Sequence, residues 1–263
     1  MGKNLENILK RARKVALPLT VTALLASSPA AYYGIQQKNS EYGTLQKIER
    51  ILEENSLNSD ANIALIMSIV KKESSFYEGA VGRDNEAGLL QLSREVAQQN
   101  GLRTSKERLK KSSPLSKLFY IDTENKKDDR FDPEKNLHVG IGYLFELAKN
   151  FQRTYNLDES SSIQFGLISY NLGPANVRKL FGIGYSKNPD EFIERLSREK
   201  LEKFGISDRK REVTVDYHTR INRFRRDYEQ RVSQMRKNGS PSMSEYFRGF
   251  FGSFGEIYQR LKN

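Results

Sequence analysis

"ANIALIMSIVKKESSF", residues 61–76, is the stretch whose reading decides the fold. Ile63, Ile66, Ile69 and Val70 recur at three- and four-residue spacing, the pattern of one buried helical face. Ser59 or Asp60 supplies the N-cap. Glu73 comes seven residues after Ile66 and four after Ile69, so the same periodicity puts a carboxyl on the buried stripe at the last turn. Burial disfavours the ionised form and raises the pKa. The partial negative charge at a helix C-terminus pushes the same way. Lys71 and Lys72 flank this carboxyl, but at helical spacing they point elsewhere. The expected species is a carboxylic acid that keeps its proton near neutral pH, as a general acid must. A single helical glutamate is ordinarily a solvated charge, so its surroundings decide.

Upstream, "TLQKIERILEEN" places Leu45, Ile48, Ile51 and Leu52 on one helical face, with helical patterning from about Glu41 onward. Downstream, "YEGAVGRDNEAG" is loop-like, and "LLQLSREVAQQNG" is a short helix stopped by Gly101. Residues 102–130 are polar and lysine-rich apart from "SPLSKLFYI", and read as an insertion or flap. "FDPEKN" is a helix start, with Asp132 as N-cap and Pro133 in the first helical position. "SSIQFGLISYN" is a helix ended by "LGP". "NPDEFIERLSREKLEKFG" and "VTVDYHTRINRFRRDYEQRVSQMRK" are two more. No strand pattern and no internal repeat appear, so the expected fold class is all-α.

Composition narrows the chemistry. The chain has 263 residues, no cysteine and two histidines, His138 and His218, which excludes a disulfide framework and a thiolate or His-rich metal centre. The formal net charge of +11 points to an anionic partner. At the N-terminus, a basic start followed by the uncharged run "VALPLTVTALLASSPAAYYG" makes residues 1–31 a signal peptide or an N-terminal membrane anchor. Cleavage would fall near Ala30 or Ala31. The chain is therefore expected to be exported: periplasmic, wall-associated or secreted. Beyond the linker "KNGSPS", residues 238–263 end in an aromatic amphipathic tail, "SEYFRGFFGSFGEIYQRLKN". The tail docks on its own domain or contacts a membrane surface.

Five fragments, "ALIMSIVKKESSF", "AGLLQL", "FDPEKNLHVGIGYL", "SYNLGPANV" and "EVTVDYHTRI", occur in the order seen in the SLT-type lytic transglycosylases, which this chain resembles from about residue 45 to 230. The resemblance implies a lysozyme-like helical domain over 41–237 with a groove for a peptidoglycan glycan strand, and no metal or other cofactor. It assigns Glu73 as the catalytic acid and Ser74, beside it, Gln91, Tyr170 and Asn171 as substrate-binding residues, with Tyr170 and Asn171 at the cleavage site. Tyr217 and Glu212 fall in the last core helix, in structural roles. Two departures stand out. Asn85 and Glu86 replace the small Gly-Ala pair before "GLLQ"; Asn85 can take glycine's left-handed turn, whereas Glu86 adds a carboxylate near the groove. Ser169 for alanine is milder.

Two rival readings follow from the same residues. A lysozyme-type hydrolase would use Asp84 or Glu86 as the second carboxylate that activates water. A non-enzymatic binder of the wall or of nucleic acid would use the basic segment 197–237, with 13 Lys and Arg against 7 Asp and Glu. Export argues against nucleic acid, and none is expected as a partner.

Overall fold

The computed structural model describes residues 29–109 and 127–238. Most of the candidate export segment, the middle of the 102–130 insertion and the aromatic tail lie outside the described residues.

Helices α1 (Pro29–Glu54), α2 (Asp60–Glu73), α3 (Arg94–Gln99), α4 (Pro133–Tyr155), α5 (Glu159–Leu172), α6 (Pro174–Gly182), α7 (Pro189–Arg198) and α8 (Asp208–Asn238) follow one another, with the long connections on either side of α3. Among the described residues there is no strand, only isolated bridges pairing Val81 with Ala87 and Ala87 with Leu92. The all-α expectation holds. α1 is helical from Pro29, where the described residues begin, earlier than the patterning near Glu41 indicated, and it includes Ala30 and Ala31.

α2 is the centre of the molecule. The Ser59 hydroxyl accepts from Asn62 N at 3.2 Å and caps it. Ile63 through Val70 are all buried. A helix apolar on every side is one packed on every side, and α2 lies against both α1 and α8. Leu45, Ile48 and Leu52 of α1 and Tyr217, Ile221 and Val232 of α8 close around it. α8 is held back onto α1 by Glu41, which accepts from the Tyr228 hydroxyl at 2.6 Å and from Arg231 at 2.9 Å.

A second, aromatic core joins α4 to α7. Phe165 meets Phe192 edge-on, with ring centroids 5.3 Å apart, and Phe151, Phe181 and Tyr185 complete the cluster. Edge-to-face pairs of this kind favour the contact beyond their buried area. The stretch 188–205, expected as one helix, is split. Glu199 is extended (φ −90°, ψ 143°), a 3-10 turn covers Glu202–Phe204, and Gly205 turns left-handed. The chain is fixed there by Glu199, whose carboxylate accepts from Arg195 and from the Tyr185 hydroxyl, and by burial of Leu201.

Residues 77–93 form the loop that follows α2, and two buried side chains set its shape. Arg130, fully buried, pairs with Asp128 at 2.8 Å and donates to the carbonyls of Asn85 and Leu92. Asn136, in the first turn of α4, accepts from Leu90 N at 2.8 Å and donates to Ala87 O and Arg130 O. Between them sits Gly88 (φ +81°); a Cβ there would lie 2.1 Å from Arg130 O, so glycine is required by conformation and by space. Asn85 has φ +71°, the left-handed turn expected of it. Its side chain accepts from Leu109 N at 2.7 Å. Leu109 and Arg130, on the two described sides of the 102–130 insertion, are thus tied to the loop.

Candidate active site

The end of α2, the 77–93 loop, the end of α5 and the start of α8 converge on a cleft of about 480 Å³. Glu73 lines it, half-buried as the last residue of α2. Gln91, Tyr170 and Asn171 line the same cleft, as do Asp84 and Glu86. Four of the five expected site residues therefore meet. Ser74 does not face the cleft: it is the C-cap of α2, and its hydroxyl donates to Val70 O at 3.1 Å.

Burial pushes the Glu73 carboxyl from its ordinary 4.5 up to about 7. The Tyr217 hydroxyl and Lys72 pull it down, Glu86 pushes it up, and Lys210 pulls it down. The Lys72 charge is thus near enough to act on this carboxyl, although helical spacing pointed it elsewhere. The long Lys72 stem folds so that Nζ stands 5.5 Å from the centroid of the Tyr217 ring.

Tyr217 carries more of the site than its sequence position suggested. Its hydroxyl is buried without a hydrogen-bond partner within bonding distance, and Glu73 is the carboxyl near enough to shift its titration. Burial and the nearby Glu73 hold the hydroxyls of Tyr217 and Tyr170 well above the ordinary tyrosine range, so both stay protonated. Tyr217→Phe removes the hydroxyl dipole that favours the carboxylate and is expected to raise the Glu73 pKa. Glu86→Gln removes a neighbouring negative charge and is expected to lower it. Carbon-13 NMR titration of the Glu73 carboxyl in the two variants reads these opposite shifts.

The polar side chains around Glu73 are already oriented. Gln91 (φ +48°) gives its amide hydrogens to Ala80 O at 3.1 Å and Gly88 O at 2.8 Å, which leaves its Oε1 for a ligand. The Tyr170 hydroxyl donates to Leu90 O at 2.8 Å, and its ring tilts against Tyr143, centroids 5.8 Å apart. Asn171 Oδ1 accepts from the Thr214 hydroxyl at 2.8 Å, so its amide hydrogens are available to the cleft. Tyr143 and Thr214 were missed as site residues, although both lie inside the quoted fragments "FDPEKNLHVGIGYL" and "EVTVDYHTRI". His138 is exposed; His218 is buried against Gln164 and Asn222, and burial lowers its pKa. Neither lines the cleft.

Compared with known proteins, residues 50–193, more than half of the chain, match the family model described as Transglycosylase SLT domain. The chain belongs to this SLT family. Its Glu73, Gln91, Tyr170 and Asn171 lie inside the matched stretch, whereas Thr214 and Tyr217 come from α8 beyond it. The chain is 27% identical over 169 residues to "Membrane-bound lytic murein transglycosylase C" of Actinobacillus succinogenes, an alignment covering 63% of this chain and 42% of that protein. A protein of the same name from Yersinia pestis is 31% identical over 121 residues, 45% of this chain and 29% of that one. "Membrane-bound lytic murein transglycosylase F" of Desulfosudis oleivorans is 26% identical over 137 residues, covering 52% and 24%. The chain thus spans less than half the length of these curated relatives. Among the described residues, no helix of this SLT protein is long and apolar enough to cross a membrane.

Proposed function

We propose that the protein is a peptidoglycan lytic transglycosylase in which Glu73 serves first as acid and then as base. The observation that carries this reading is a desolvated carboxyl, raised to about 7, in a cleft ringed by hydrogen-bonding side chains. Protonated Glu73 gives its hydrogen to the bridging oxygen of the β-1,4 bond between N-acetylmuramic acid and N-acetylglucosamine. The N-acetylglucosamine side leaves as an alcohol, and positive charge grows on the muramic ring, met by its own N-acetyl oxygen. The Glu73 carboxylate then takes the proton from the ring's 6-hydroxyl, whose oxygen closes onto the anomeric carbon. Glu73 ends protonated, the product carries a 1,6-anhydro ring, and no water is consumed.

Gln91, Tyr170 and Asn171 orient the sugar. Their fixed hydrogen bonds favour one ligand geometry, because a mismatched sugar would leave buried polar groups unpaired. The basic, then apolar, N-terminal segment and the membrane-bound names of the relatives support an exported protein held at or near a membrane. The excess of basic residues on α8 gives little support to a nucleic-acid binder. Arg220, Arg225 and Arg211 pair with acids of the same helix, as on a solvated face.

The test is mass spectrometry of the products from purified sacculi. Anhydro-muramic ends are expected. Reducing muramic ends would instead make the protein a hydrolase, with Glu86 or Asp84 of the same cleft activating water.

A further inference from the structure

A second cleft, of about 580 Å³, adjoins the first and shares Arg83 and Asp84 with it. Its wall brings Arg83 and Arg94 of the loop and α3 together with Lys106 and Arg108 of the insertion, opposed among the described lining residues only by Asp84 and Glu95. Among the described residues, none of these four cations has an ion-pair partner. The frame that holds them is fixed. Arg94 Nη2 donates to the carbonyls of Lys106 and Glu107, both at 3.2 Å, and Leu109 N donates to Asn85 Oδ1. The Arg94 Nε is buried without a partner.

Unpaired cations on a rigid wall, continuous with the cleft that holds Glu73, form a site for anions carried by whatever lies in that cleft. The geometry points to a carboxylate subsite: the cleft bounded by Arg83, Arg94, Lys106 and Arg108 binds the free carboxylates of the peptide attached to a muramic acid residue of the strand. This rests on the reading of the Glu73 cleft as a glycan site. Its contribution is electrostatic and exposed, so it sets preference and KM more than the chemical step, and salt weakens it.

The experiment compares two soluble substrates, glycan strands with their peptides and strands stripped of them by an amidase. Both are freed of phosphate-bearing polymers, so that the preference reads peptide carboxylates alone. Wild type is expected to have a lower KM for the peptide-bearing strands. In the double variant Lys106→Gln/Arg108→Gln, that KM is expected to rise about five- to tenfold, the loss of two exposed charge contacts. The KM for stripped strands is expected to stay unchanged, and high salt should erase the difference in wild type. Equal KM values for both substrates in wild type, or an equal change on both in the variant, would overturn the subsite and leave the cleavage reading standing. Failure of wild type to cleave either substrate would overturn the cleavage reading. Strand binding to the Glu73→Gln protein then reports on the basic cleft alone: equal affinity for both strands sinks it, and preference for peptide-bearing strands sustains it.

Discussion

Replacing Glu73 with glutamine is expected to reduce glycan cleavage by about three orders of magnitude, within the range general acid–base catalysis supplies, while strand binding persists. Glutamine fills the same space and cannot deliver a proton. The same substitution is expected to make the protein more stable, and the sign follows from the titration. The folded carboxyl titrates near 7, against an ordinary 4.5. Below pH 4.5 both states are protonated, and the residue costs nothing. As pH rises from 4.5 to 7 the unfolded chain ionises first and gains, so the stability of the wild-type fold falls. Above 7 the full cost is present, about 1–3 kcal/mol once partial exposure to the cleft is allowed for. Glutamine does not titrate. Glu73→Gln is thus expected to match wild type at pH 4 and exceed it at pH 8, read by denaturant unfolding at the two values. Such a gain would mark Glu73 as a residue kept for chemistry against stability. Retained cleavage in this variant would remove Glu73 from the mechanism.

The second large effect is expected away from Glu73. Asp128 and Arg130 have side-chain exposures of 1% and 0%, and their ion pair supports the two carbonyls that shape the 77–93 loop. Burial pushes the Asp128 carboxyl up, but hydrogen bonds from Arg130, Ser105 N and Arg130 N outweigh it and leave the pKa below the ordinary value. Asp128→Ala strands a guanidinium in the interior and is expected to cost about 3–5 kcal/mol. Because Arg130 holds Asn85 and Leu92 on either side of Glu86 and Gln91, cleavage should fall along with stability. Replacing the pair together, Asp128→Leu/Arg130→Met, removes the stranded charge and is expected to recover much of the stability. Urea unfolding of the single and double variants measures both. Equal loss in the two would show that the buried charge is not what matters.

What the sequence disclosed was local. The end of α2 at Glu73, the Asp132–Pro133 helix start and the left-handed Asn85 each depend on a few neighbouring residues, and periodicity or a capping rule reaches them. Gln91, Tyr170 and Asn171 were legible through the family resemblance of their fragments, and the fold brings them to one cleft. The relations that hold the site together were not legible, because they join positions far apart in the chain. Arg130 grips Asn85 across 45 residues, Tyr170 reaches Leu90 across 80, and Thr214 orients Asn171 across 43. No pattern along one strand of text signals such a pairing. Ser74 shows the opposite case: its place beside the acid suggested a substrate contact, yet a serine ending a helix bonds its own backbone. The break at Glu199 escaped periodicity because its cause, the Tyr185 hydroxyl, lies in a different connection.

For cleavage to proceed as proposed, Glu73 must hold a proton at the pH where it delivers one. Carbon-13 NMR titration of the Glu73 side-chain carboxyl in the whole folded chain tests it most directly. A midpoint close to 7 is predicted. A midpoint near 4.5, the ordinary value for an open-water glutamate, would contradict it.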